Sequence, residues 1–91
     1  MKVSRYADDR FARSVRARGR CERCGSTRDL ECAHILPRVH RALRHDPENA
    51  LALCRECHRW AHAHPEAFRV WIGSERLDLL RRRAGLIVQA S

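Results

Sequence analysis

Apolar residues recur at every fourth position through Ala7, Phe11 and Val15, the spacing of one face of a helix. The stretch SRYADDRFARSVRAR, residues 4–18, is therefore predicted helical, with Ser4 as its cap, Asp8 and Asp9 in its first half and Gly19 as its stop. Arg10, Arg13, Arg16 and Arg18 cover much of its remaining surface. Leu30 to Leu36 predicts a short strand ended by Pro37, and Leu51 to Leu53 a returning strand. Between them the polar run from Arg38 to Asn49, interrupted by Pro47, predicts a loop. A helix should follow from about Arg55 to His64 and close before Pro65. Pro65 opens PEAFRVWI, whose apolar face of Phe68, Trp71 and Ile72 is stopped by Gly73; Ser74 is placed to cap SERLDLLRRRA, stopped by Gly85. Trp60, Phe68 and Trp71 fall at spacings that suit packing between helices rather than base stacking. No repeat, low-complexity tract or long linker divides the chain, so its 91 residues read as one domain.

A domain this small buries only about two-thirds of the surface its unfolded chain exposes, which leaves its core marginal and predicts a staple. Five cysteines are the candidates: the pairs Cys21/Cys24 and Cys54/Cys57, each C-x-x-C, and Cys32 alone. An odd count with two close pairs fits metal ligation better than disulfides. MKVSRYADDR has no apolar run like that of a signal peptide, and no apolar stretch is long enough for a bilayer, so a soluble, cytoplasmic protein with reduced thiols is expected. The formal charge is +8, and every one of the 19 basic residues except Lys2 is arginine. Arginine's planar fork matches phosphate oxygens, so nucleic acid is the leading partner, ahead of an acidic membrane surface.

Two C-x-x-C knuckles supply four thiolates, the ligand set of a structural zinc. The 29 residues between Cys24 and Cys54 are more than the commonest ribbon spacing, so the insert is expected to be a structured excursion. Into it fall LECAHILP and then PENALALCRECH, with His62 beyond. On CERCGS, LECAHILP, PENALALCRECH and His62, spread over residues 21–62, the sequence resembles the HNH endonucleases in the version held by a four-cysteine zinc.

The resemblance implies an α+β fold: a β-hairpin followed by a helix, the ββα-metal core, clamped by zinc at Cys21, Cys24, Cys54 and Cys57 and flanked by helices at both ends. The parts would be a basic N-terminal helix over 1–20, the zinc-clamped core over 21–64 and C-terminal helices over 65–91. The three residues that name the family would be His34, Asn49 and His58. His34 is the candidate general base, because an imidazole titrates near neutrality. Asn49 is the candidate orienter, fixing the loop and the histidine beside it. His58 and His62 lie four apart on the predicted helix, share a face and can hold one catalytic divalent ion, Mg²⁺, Mn²⁺, Ni²⁺ or Zn²⁺. Many relatives carry a third ligand immediately before the base, where this chain has Ala33. The implied activity is metal-dependent hydrolysis of DNA, leaving a 5′-phosphate and 3′-hydroxyl, often by nicking and with low sequence specificity. Arg38, Arg41, Arg44, Arg55 and Arg59 are the candidate phosphate contacts, on DNA or on structured RNA, in a monomer or weak dimer. Phage enzymes, restriction components and mobile-element nucleases fit the resemblance alike. The rival is a zinc-stapled nucleic-acid-binding module whose catalytic site is weak or disabled. Secondary candidates are Cys32 as a substitute ligand or buried filler, His64 as an alternative ligand, His40 and His45 as phosphate contacts or solvated loop residues, and Glu31 as a residue near the site or an edge-strand carboxylate.

Overall fold

The computed structural model describes residues 5–86; the proposed cap Ser4 and the C-terminal residues from 87 on lie outside them. Helix α1 (Arg5–Arg16) is followed by the first cysteine knuckle, strand β1 (Leu30–His34), strand β2 (Ala50–Cys54) and helices α2 (Arg55–Ala63), α3 (Pro65–Ile72) and α4 (Ser74–Arg83). The fold is thus α+β, with a two-stranded antiparallel sheet in the register His34 opposite Ala50 and Leu30 opposite Cys54. Gly73 rather than Ser74 caps α4, and no side chain bonds the exposed amides there.

Side chains alternate across a strand, so each face of the hairpin builds its own core. Ala50 and Ala52 pack with Val15 of α1, Phe11 and Cys32 on one face. Leu51, Leu53 and Ala33 pack on the other with Leu43, Phe68, Leu77 and Leu80. Trp60, Phe68 and Trp71 meet at ring separations of 6.1–6.4 Å, close to edge-on for both pairs that include Trp60, and join α2 to α3. Arg18, expected on the polar surface of α1, turns back instead. It donates to Glu22 and to the carbonyls of Ala50 and Pro47, each at 2.9 Å. Glu22 in turn accepts from the Ala52 amide at 2.6 Å, so the first knuckle is tied to β2.

β1 stops at His34, two residues short of the predicted end, because Asn49 replaces the ladder. The Ile35 amide donates to the Asn49 carbonyl (2.8 Å) and the Leu36 amide to Asn49 Oδ1 (2.8 Å). Asn49 Nδ2 donates to the carbonyls of Leu36 (3.0 Å) and Leu43 (3.2 Å). The segment predicted as a loop also contains two 3-10 turns, Arg41–Leu43 and Pro47–Asn49, whose Leu43 and Asn49 are wholly buried. Helix α4 holds the same segment from outside: Arg76 donates twice to the Glu48 carbonyl, and Arg83 pairs with Asp46 and Glu48.

The Asn49 side chain hydrogen-bonds Leu36 and Leu43, whereas the His34 ring bonds the Arg44 carbonyl. Asn49→Ala should therefore act first on stability. It strands one amide and two carbonyls, each worth about 1–3 kcal/mol when left unpaired in a fully buried place. Only the Leu43 bond is fully buried and the two Leu36 bonds are part-buried, so the expected loss lies in the lower half of that sum, roughly 3–5 kcal/mol. Denaturant unfolding of the zinc-loaded variant measures this, and a loss below about 1 kcal/mol would refute the pinning role.

Candidate functional site

The two knuckles converge. The four Sγ atoms of Cys21, Cys24, Cys54 and Cys57 lie within 4.8 Å of one another, and Cys24 and Cys54 are 3.7 Å apart. A tetrahedral zinc with bonds of about 2.3 Å needs sulfur–sulfur edges of about 3.8 Å, so the donors fit a structural Zn²⁺. The first knuckle turns on Gly25, whose φ of +82° a side chain would strain; its amide closes onto the Cys21 carbonyl at 2.9 Å. Burial pushes Cys57 up to about 12. At Cys21 burial acts in the same sense, but backbone groups of Cys54, Cys24 and Arg23 outweigh it and hold the thiol down at about 6. Four clustered sulfurs cannot all ionise without a cation, and a dication removes that conflict. Arg23 spans the cluster's rim, donating to Cys57 Sγ at 3.5 Å with its guanidinium 3.6 Å above the Trp60 ring.

A cleft of about 710 Å³ runs along β1 and is lined by His34, His58 and His62 together. His34 Nε2 lies 2.9 Å from the Arg44 carbonyl, which can only accept, so the proton sits on Nε2 and Nδ1 keeps the free lone pair. Burial lowers the His34 pKa, assisted by Arg38 and Arg44 and opposed by the Arg44 carbonyl and Asp8, so the ring is neutral at neutral pH.

His58 is held in the complementary way. Its Nδ1 donates to Glu31 Oε1 at 2.8 Å, which leaves a lone pair on Nε2, 3.3 Å from His62 Nε2. Two nitrogens about 2.1 Å from a common ion stand about 3.0–3.4 Å apart, so this pair fits a divalent cation. Register explains why Glu31 reaches it: Glu31 and Ala33 share the sheet face opposite α1, the face on which α2 packs. Ala33 is 2% exposed and offers no donor, and among the described residues the only group of three or more ligating side chains is the four-cysteine cluster.

The structure separates the secondary candidates. Cys32 sits in the small core under α1, where burial raises its pKa, and it does not join the four-cysteine cluster. His64 is exposed and ends α2. Arg38, Arg41 and Arg59 are exposed, and Arg55 is 3.6 Å from Glu31. Arg44 instead forks onto Asp8 at 2.8 and 2.6 Å, and His45 donates to the same carboxylate at 2.8 Å. Sequence reasoning left Glu31 open and overlooked Asp8; each contact joins residues far apart in the chain, beyond the reach of any local spacing.

Among known proteins, the family model of the HNH endonucleases matches residues 21–64. No curated protein and no solved structure gave a significant match. Among the described residues no helix is long and apolar enough to cross a membrane. The matched span contains both knuckles, the hairpin with His34 and Asn49, and helix α2 with His58 and His62, so residues 21–64, just under half of the chain, are similar to the HNH endonucleases.

Proposed function

We propose that this chain is a divalent-metal-dependent endonuclease that hydrolyses phosphodiester bonds in DNA, nicking one strand at a time with little base reading. The observation that carries this reading is one cleft in which a neutral histidine with a free Nδ1 accompanies a histidine pair with facing Nε2 atoms. His34 Nδ1 takes a proton from water as its oxygen attacks phosphorus; the bond to the 3′-oxygen breaks, and solvent protonates the leaving oxygen to give a 5′-phosphate and a 3′-hydroxyl. A cation held by His58 and His62 would supply charge neutralisation at the phosphate and the leaving oxygen. Glu31 fixes the tautomer that keeps His58 Nε2 available.

Arg38, at the cleft's rim, together with Arg41, Arg55 and Arg59, supplies phosphate contacts that position DNA without reading bases. Arg44 is committed to Asp8 and serves to hold the loop. The family acts on nucleic acids, and the net charge of +8 suits a polyanion.

Ala33 favours the competing reading, a binding module with a disabled centre, because it leaves the ion only two protein ligands. Nicking of supercoiled plasmid with and without Mg²⁺ or Mn²⁺ separates the two. Ion-dependent nicking is expected, and His58→Ala should raise the ion concentration for half-maximal rate at least about tenfold. Zinc-loaded protein that binds DNA but never nicks it would establish the binding module instead.

A further inference from the structure

Helix α1 precedes the span that matches the family, yet it reaches the residue that holds the base. We infer that Asp8 on α1 is a positioning residue for the His34 imidazole, acting through Arg44. One carboxylate grips two consecutive loop residues: Oδ1 accepts from Arg44 Nε–H and His45 Nε2–H, both at 2.8 Å, and Oδ2 from Arg44 Nη2–H at 2.6 Å. The backbone carbonyl of that same Arg44 accepts the His34 Nε2 proton at 2.9 Å. The Asn49 side chain reaches the loop at Leu43 and its backbone amide at the Asp46 carbonyl, on either side of Arg44 and His45. The Arg44 amide closes the 3-10 turn onto Arg41, and its side chain is gripped by Asp8.

The helix also supplies a wall. Phe11, less than one turn after Asp8, places its ring 5.8 Å from His34 and 5.3 Å from His45. Arg44 and then His45 hold the Asp8 carboxyl well below the usual carboxylate range, so the grip stays charged throughout the neutral range. A forked arginine–carboxylate pair fixes orientation as well as distance, which a single lysine contact would not. The carbonyl it orients decides the tautomer of the ring: with that acceptor displaced, the proton is free to move to Nδ1, the atom that must be bare to act as base.

The inference rests on the reading of His34 as the base, so its test begins with a readout that needs neither cleavage nor DNA. Imidazole nitrogen chemical shifts of the zinc-loaded protein, taken above the His34 pKa, should show the Nε2–H tautomer in the wild type and a mixture with Nδ1–H in Asp8→Asn. Arg44→Ala should give the same mixture, and adding Asp8→Asn to it should change nothing further. Asp8→Glu should restore part of the wild-type signature. In single-turnover nicking, Asp8→Asn should lose about ten- to a hundredfold in rate at saturating DNA. Its DNA affinity should hold or tighten, because a negative charge has left the cleft's edge. A purely structural role would lower rate and affinity together and leave the tautomer alone, and that pattern overturns the proposal. An unchanged Nε2–H tautomer in Asp8→Asn overturns it too, as does unfolding of both Asp8→Asn and Arg44→Ala. A wild type that never nicks, with the tautomer shifting as described, would defeat the nuclease reading while leaving the Asp8–Arg44–His34 relation intact.

Discussion

Alanine at position 34 should slow nicking of supercoiled DNA by about 10²- to 10⁴-fold, the usual share of general-base catalysis, while zinc content and divalent-ion affinity stay at wild-type values. The separation follows from the geometry. His34 bonds the Arg44 carbonyl and takes no part in the His58–His62 pair, so its loss removes a proton acceptor and no ligand. Excess Mn²⁺ should therefore fail to rescue His34→Ala although it restores part of the rate of His58→Ala. The pH profile gives a second check. Burial, with the charges of Arg38 and Arg44, lowers the His34 pKa, and the base must be unprotonated to act. The wild-type rate should thus stay flat through neutrality and fall only as pH drops through a value below that of an ordinary imidazole. Wild-type rates in His34→Ala, or an acid limb above the ordinary imidazole value, would refute the base assignment.

Loss of the zinc clamp should have the largest structural effect. Cys57→Ser leaves three thiolates of a four-sulfur set whose atoms lie within 4.8 Å of one another. Structural zinc contributes about 10–16 kcal/mol of apparent binding free energy in small domains, which matches or exceeds the about 5–15 kcal/mol that separates a folded domain from its unfolded chain. The clamp also fixes more than the knuckles. Cys54 ends β2 and Cys57 lies in the first turn of α2, so a metal held by both would fix the angle at which the helix carries His58 and His62 past β1. Cys57→Ser, or the wild type treated with a strong chelator, should release zinc, lose its cooperative thermal transition and lose ion-dependent nicking at the same time. Metal analysis with circular dichroism reads both, and a variant that kept its zinc and its thermal midpoint would rule the clamp out.

Much of this architecture was legible along the chain, because helices, strands and knuckles are made by neighbours. The recurrence of Ala7, Phe11 and Val15 at every fourth position specifies the face of α1; Pro65, Gly73 and Gly85 punctuate the last three helices; two C-x-x-C pairs name the four cysteines whose sulfurs cluster. The spacing of His58 and His62 puts both on one face of α2, where their Nε2 atoms meet at 3.3 Å. What spacing does not contain is the partner that decides a proton's place. Glu31 sets the His58 tautomer across 27 residues, and Asp8 grips Arg44 across 36. Arg18 and Arg44 read as surface charge in the sequence, since nothing local distinguishes an arginine facing solvent from one folded onto a carbonyl or a carboxylate. β1 likewise ends where Asn49, 13 residues beyond Leu36, supplies the competing hydrogen bonds. Local preference and period write the elements and the ligand sets, while the polar contacts that orient each ring exist only after the hairpin, the knuckles and α1 have closed on one another.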